Sequence, residues 1–413
     1  MFLLYSILSF LIIILIHPWY YLKRSSSERH RWLNERWARI PEKLVLSPSE
    51  PIWLHAVSVG EVMAALPLLR ALKKRFPGKK ILLTTVTETG QHVAMEKFPE
   101  ADCIAYLPWD IAPVVNKVVS RLRPSIFITI ETELWPNLLR TINAHGIPII
   151  VLNGRISEGS FHGYRRIRFF MKRVLSLVDF FGMQDDIDAE RIISIGAEPS
   201  KVRVIGNFKF DYVQSDKPIA WAEHLKRPAI IAGSTHRGEE EMILDAYTRL
   251  SGDWGLILAP RHPERAGEVE GLLDKRGLPH IRRSGIKGPF NERIIILDTI
   301  GELSSLYRYA DIAVVGGSLL PFGGHNPIEP AFWAGPIIFG PHMENFPIAK
   351  EFIREGGAIE VRDVNEMVEA ILWLTERSER AEKMGAVAKA IVQKNIGAVE
   401  RSIGVIEAYL GNP

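Results

Sequence analysis

Residues 51–86 read PIWLHAVSVGEVMAALPLLRALKKRFPGKKILLTTV. Ile52–Val57 and Ile81–Val86 are short β-rich runs, and Val62–Arg75 between them carries apolar residues at helical spacing. Strand, helix and strand in succession predict a parallel βαβ unit. The pattern continues through apolar runs at Ile104–Leu107, Ser125–Ile130, Pro148–Leu152 and Val202–Ile205. A second set follows at Ala229–Ala232, Gly255–Ala259, Ile294–Leu297, Ile312–Val315 and Ile337–Phe339. The chain of 413 residues is therefore expected to be α/β, with two Rossmann-like doubly wound domains facing across a cleft. Lys209–Pro218, with Asp211, Ser215, Asp216 and Pro218, is the best hinge. It divides an N-terminal domain, 49–208, from a C-terminal domain, 209–413. The final helical stretch, Glu366–Leu374 onward to Leu410, is free to pack on either half. Ligands bind outside the carboxyl ends of parallel strands, so functional residues are expected in strand-to-helix loops.

Composition narrows the classes. A chain 47% hydrophobic and 24% charged is neither disordered nor collagen-like. Its mean hydropathy of +0.04 is too low for a polytopic membrane protein. The formal charge of +3, from 51 Lys+Arg and 48 Asp+Glu, argues against a nucleic-acid partner. The single cysteine, Cys103, excludes an intramolecular disulfide and a cysteine-rich zinc site.

The charge is unevenly spread. Residues 1–22 contain no Asp, Glu, Lys or Arg and end in Trp19, Tyr20 and Tyr21, followed by Lys23 and Arg24. A helix of ~20 apolar residues spans a bilayer, so 1–22 is expected to be an uncleaved transmembrane anchor. The positive flank would keep the rest of the chain on the cytoplasmic side. Residues 23–48 form a basic juxtamembrane segment, with seven Lys/Arg and three Glu over 23–43. Leu33, Trp37 and Ile40 fall on one helical face there, which suits a helix lying in the interface or a solvated basic linker. Arg165, Arg166, Arg168, Lys172 and Arg173 interleave with Tyr164, Ile167, Phe169, Phe170 and Val174, as in a basic amphipathic helix resting on an anionic membrane surface. A second basic run, Arg70 to Lys80, reads equally as such a face or as solvated surface.

The loops carry the chemistry. After the first strand, Glu61 opens a helix, where it is either a proton acceptor or an acid favoured by the helix dipole, which lowers its pKa. Glu131 and Glu133 follow the strand ending at Ile130; at i and i+2 they point to opposite sides if the strand persists. Lys209 lies between Phe208 and Phe210, as a snorkelling residue or a cation for a phosphate. In the second half, Gly233-Ser234-Thr235-His236 and Pro260-Arg261-His262 follow strands, and Ile300-Gly301-Glu302 comes after Ile294–Leu297. Asn326, Pro327 and Glu329 read as N-cap, N1 and N3 of a helix. That pattern leaves unexplained the four glycines between Gly316 and Gly324, which favour a nucleotide site at the helix start. Asp186-Ile-Asp188 matches a metal-binding Asp-x-Asp but reads better as an acidic helix start.

Eight collinear motifs are HAVSVGEV (55–62), IETELWPN (130–137), GNFKFD (206–211), GSTHRGEE (233–240), APRHPER (259–265), DTIGEL (298–303), GGSLLPFGGHNPIEP (316–330) and GPHMENF (340–346). In this order they resemble the 3-deoxy-D-manno-octulosonic acid (Kdo) transferases, membrane-anchored GT-B glycosyltransferases of lipopolysaccharide core assembly. The resemblance implies a GT-B fold, Kdo transfer from CMP-Kdo to a lipid A precursor in the inner leaflet, and no metal or other cofactor. It implies Glu61 as the base that deprotonates the acceptor, with Glu131 and Lys209 stabilising the transition state. Pro260-Arg261, Ile300-Gly301-Glu302 and Asn326-Pro327-Ile328-Glu329 would hold CMP. A GT-B enzyme using another nucleotide sugar, and a membrane-tethered nucleotide-binding scaffold, are the alternatives.

Overall fold

The computed structural model describes residues 1–23, 26–39, 50–211 and 218–411. The chain divides into two compact units, Met1–Tyr212 with Ile396–Pro413, and Val213–Asn395.

The first unit holds a seven-stranded sheet of β1 (Ile52–His55), β2 (Ile81–Thr85), β3 (Cys103–Tyr106), β4 (Ile126–Ile130), β5 (Ile149–Gly154), β6 (Phe180–Met183) and β7 (Val202–Val204). The strands lie in the order β3-β2-β1-β4-β5-β6-β7, and every pairing is parallel. Helices cover both faces, which is why the central strands are apolar at successive residues rather than at alternate ones. Trp53, Phe127, Val151 and Phe181 build the core on one side, and Leu54, Ile128 and Leu152 on the other. The helix Ala398–Leu410 completes the second of these: Ala398, Val399, Ile403 and Ile406 share it with Val62, Leu66 and Leu69 of the helix Val59–Arg75. Asp211 fixes its start by accepting the amides of Gly397 (2.5 Å) and Val399 (2.6 Å).

The amino end departs from the expected anchor. Residues Phe2–Lys23 do form a helix, yet among the described residues no helix is long and apolar enough to cross a membrane. One side of this helix is bonded to protein. Tyr5 donates to Asp110 (2.8 Å), Ser6 to Asn137 Oδ1 (2.7 Å), and Phe2 packs edge-on against Phe170. The following helix, Ser26–Arg36, is likewise built into the unit rather than laid out on a surface. Trp32 is fully buried, Arg31 donates to Ile104 O, and Glu35 accepts the Tyr106 amide. Arg36 bonds Leu107 O, its guanidinium lying over Trp32 and Trp109. A buried, tryptophan-flanked arginine is what a basic linker lacks. Ile40, Lys43 and most of the expected 209–218 hinge lie outside the described residues.

The second unit repeats the architecture with β8 (Ala229–Thr235), β9 (Gly255–Pro260), β10 (His280–Arg282), β11 (Ile294–Ile296), β12 (Ile312–Val315), β13 (Ile337–Phe339) and β14 (Ala358–Glu360). Their order is β10-β11-β9-β8-β12-β13-β14, again all parallel. Three strands were not anticipated, β6, β10 and β14. The last two are three-residue edge strands only partly buried, and edges tolerate polar residues that erase the apolar signal. The strand order switches direction between β1 and β4 in the first unit and between β8 and β12 in the second, where β10 also lies outside β11. Side chains at the carboxyl ends of these four strands therefore flank the two natural ligand crevices.

Candidate active site

In the first unit the β1 end supplies Glu61 and the β4 end supplies Glu131 and Glu133. Ser58 starts the helix Val59–Arg75, placing Glu61 in its first turn. One Glu61 oxygen accepts the Val57 amide at 2.6 Å and the other accepts the Ser58 hydroxyl at 3.1 Å. Glu61 is buried, only 8% exposed. The helix dipole was expected to depress its pKa, but burial dominates and pushes it up to about 7. The Val57 amide opposes the rise, while the charges of Glu133 and Glu131 add to it.

Both glutamates reach Glu61 because the strand does not persist. β4 ends at Ile130, and Glu131 turns into the left-handed region with φ of 59°. A non-glycine residue held there is strained, and such positions gather at functional sites. Its amide is secured by Leu152 O at 2.9 Å, and Thr132 ties the loop to Arg155 O at 2.6 Å. Burial raises the pKa of Glu131, opposed by the cations Arg155 and Lys209. Lys209 is correspondingly shifted down by burial, with Glu131 opposing. Glu131 and Lys209 are thus neighbours in charge, and they belong with Glu61 at one crevice.

A polar chain sets the Lys209 turn. Asn153, fully buried at φ of 54°, accepts the Phe208 amide at 3.0 Å and its carbonyl accepts Gln184. Gln184 accepts from Asn207 at 2.8 Å, and Asn207 accepts the Lys209 amide at 2.9 Å. Arg155 and Asn153 had no role in the sequence reading, and Glu133 entered it only as the neighbour of Glu131. Their one visible signal was position, immediately after an apolar strand. Asp186 and Asp188 belong to a helix start: Asp185 caps it, and Asp188 turns inward to accept the Ile156 amide at 2.8 Å.

In the second unit the loops after β8, β9 and β12 converge. Arg261 follows β9, its amide bonded to Thr235 O at 2.9 Å, with Pro260 buried beneath it. Arg261 acts electrostatically on Glu329, His236 and His325, which places these four groups together. Glu329 is shifted up by burial, with Asn326 and Arg261 opposing. The helix begins at Ile328, one residue later than the capping pattern implied. Asn326 still accepts the Ile328 amide (3.1 Å), and its own amide group donates to Glu329 (3.2 Å). Glu302 has a different setting. Its carboxylate accepts from Trp221, Thr299 and Arg283, and with exposed Ile300 close by it lines an open cavity of about 490 Å³. Four donor bonds from three side chains leave that carboxylate little capacity for a ribose.

Three consecutive acids organise this end of the sheet. Glu239, fully buried, accepts the amides of His236 (2.8 Å), Gly317 (2.7 Å) and Leu319 (2.9 Å). Glu240 accepts from Thr235 and Arg265, each at 2.9 Å, and Glu241 accepts the Gly238 amide at 3.0 Å. Glu239 therefore joins the β8 and β12 loops across the crevice. Gly317 is required at its place, with φ of 67° and a Cβ that would come 2.7 Å from the His325 ring.

Comparison with known proteins adds the family. Residues 30–212 match the model for the 3-Deoxy-D-manno-octulosonic-acid transferase (kdotransferase) family. The chain is 36% identical over 375 residues to a 3-deoxy-D-manno-octulosonic acid transferase of Haemophilus influenzae, covering 88% of each. A protein of the same name from Bordetella pertussis is 32% identical over 411 residues, 95% of each chain. Among solved structures, Acinetobacter baumannii MurG superposes with a TM-score of 0.57 at 12% identity, covering 87% of this chain and 100% of that one. This last likeness concerns the fold.

Proposed function

Since the chain belongs to the 3-deoxy-D-manno-octulosonic acid transferase family, we propose that it transfers Kdo from CMP-Kdo to a hydroxyl of a lipid A precursor in lipopolysaccharide synthesis, with Glu61 as general base. The observation that carries the base assignment is the buried Glu61 carboxyl at the β1–β4 crevice, raised to about 7. A base poised near the working pH combines a substantial ionised fraction with real proton affinity. The acceptor hydroxyl gives its proton to Glu61 as its oxygen bonds to the anomeric carbon of Kdo. The bond from that carbon to the CMP phosphate breaks, and its electron pair leaves with CMP. Lys209 meets the negative charge that develops on the leaving phosphate, and Glu131 holds Lys209 charged and in place. Arg261, with Asn326 and Glu329, grips the nucleotide, with Pro260, Ile300, Gly301, Glu302, Pro327 and Ile328 supplying the surrounding backbone and walls. Lys209 and Arg261 supply positive charge there, and the reaction is proposed to run without a metal.

The acceptor is a lipid, and the first unit carries a surface suited to one. Leu4 and Leu8 of the first helix, with Ile167, Phe169 and Phe170, line an open apolar groove of about 500 Å³ beside Arg166. Phe169 is 68% exposed and Ile167 50%. Exposed aromatics rimmed by arginines favour an anionic bilayer surface, so the proposed site of action is the cytoplasmic face of the inner membrane.

The test is incubation of purified protein with tetra-acyl lipid A precursor and either CMP-Kdo or UDP-sugars, read by mass spectrometry. Kdo addition from CMP-Kdo, lost in Glu61→Gln, is the expected result. Transfer from a UDP-sugar alone overturns the donor assignment, and normal turnover by Glu61→Gln overturns the base.

A further inference from the structure

At the β8–β12 crevice two imidazoles bridge the loops. His236 Nε2 and His325 Nε2 are 2.8 Å apart. The rings are parallel to within 3° with centroids 5.1 Å apart, so they meet edge to edge through these nitrogens. Phe322 stacks on His236 at 4.3 Å and 13°, fixing the plane of the pair. Two imidazole nitrogens at this distance share one proton, which makes one ring the donor and the other the acceptor. In the neutral pair the acceptor ring must carry its single proton on Nδ1, leaving one N–H to point away from the bridge. Each backbone is also held: His236 donates its amide to Glu239, and His325 donates its amide to Gly316 O at 3.1 Å.

Arginine and carboxylate groups both surround the pair. Arg261, His262 and Arg265 act on His236 together with buried Glu239, and Arg261 and His262 act on His325. Burial shifts both imidazoles down, His325 to about 4, which favours a neutral pair. A neutral hydrogen-bond donor beside Arg261 invites an anion: a bound phosphate satisfies the outward N–H and favours a further proton on the pair.

We propose that the His236–His325 pair is the phosphate-recognising element of the donor site, holding through its outward N–H the phosphate that links the nucleoside to the sugar. This rests on the CMP-linked donor proposed above. During transfer the bond from the anomeric carbon to phosphate oxygen breaks with its electron pair retained by the phosphate. The imidazole N–H donates to that oxygen, while the acceptor's proton goes to Glu61, so no further reactant is needed. Proton sharing spreads any charge taken up over both rings, which suits the pair to a leaving group that becomes more anionic.

The experiment compares CMP with cytidine, which lacks the phosphate, by titration calorimetry on the full chain. His325→Ala and His236→Ala are expected to weaken CMP about tenfold or more, the value of a charge-assisted hydrogen bond, and to leave cytidine unchanged. Equal affinities in variants and unmodified protein, or equal weakening of CMP and cytidine, overturn the proposal. A measurement that needs no variant is carbethoxylation of the unmodified protein, mapped by peptide mass spectrometry. CMP should protect His236 or His325 while cytidine does not, and indistinguishable labelling overturns the proposal. If the unmodified protein binds no CMP and transfers no Kdo, the functional reading itself fails. If it binds CMP and transfers Kdo while the histidines show no phosphate preference, only the present inference fails.

Discussion

Replacing Glu61 by Gln should remove activity and at the same time stabilise the protein at alkaline pH. The carboxyl rises from an ordinary 4.5 to about 7 in the folded chain, chiefly by burial. Between these values the folded state holds a proton that the unfolded chain has released, so stability falls as pH rises through this window. Above pH 7 the cost is complete, and at about 1.4 kcal/mol per pH unit it amounts to roughly 3 kcal/mol. A glutamine escapes this cost. Its carbonyl can keep the Val57 amide, and the Ser58 hydroxyl can rotate to accept from its NH2 group, since a hydroxyl both donates and accepts. Denaturant melts of the two proteins should therefore coincide near pH 4.5 and diverge toward pH 8, Glu61→Gln being the more stable. In the unmodified enzyme, kcat/KM should rise with pH along a limb centred near 7, because only the ionised carboxylate accepts a proton. A gap that stays constant from pH 4.5 to 8, or a limb near pH 4.5, would refute burial as the force that sets this residue.

Glu133→Gln should move the same acid limb to lower pH, because its charge resists ionisation of Glu61 and a neutral amide does not; an unmoved limb would remove Glu133 from the site. Glu239→Gln should cost about 2–4 kcal/mol and weaken CMP binding, since one amide oxygen replaces two and its NH2 faces a backbone donor. Thermal melts and CMP titration check this, and an unchanged protein would deny Glu239 its linking of the two loops. Phe169→Asp should reduce flotation with anionic vesicles, with no loss of CMP affinity; unchanged vesicle binding would exclude that face from the membrane contact.

The sheets were legible because their central strands are buried on both sides, and continuous apolar runs such as Ile126–Ile130 have few alternative readings. Loop positions followed from the same rule, so Glu61, Glu131 and Arg261 were expected where strands end, and Lys209 near the hinge. What a residue experiences there was not legible, because it is set by side chains distant in sequence. Glu61 illustrates this: a first-turn acid is expected to be exposed and acidified by the dipole, yet the Glu131 and Glu133 loop, some seventy residues later, crowds it with like charge. The crowding in turn depends on the positive φ at Glu131, which breaks the alternation that would have kept the two acids apart. The run Glu239-Glu240-Glu241 misleads in the same direction. Three acids opening a helix look like solvated dipole partners, but each instead accepts protein donors and two are fully buried. Carboxylates are seldom buried unless paired, and here the partners are backbone amides of the facing loop, Gly317 and Leu319, nearly eighty residues away. The four glycines between Gly316 and Gly324 are half of that arrangement. A Cβ at Gly316 would meet the Ser234–Thr235 backbone, at Gly317 the His325 ring, at Gly323 Asn345 and at Gly324 Met343, so the glycines that stood out in the composition have a cause in packing.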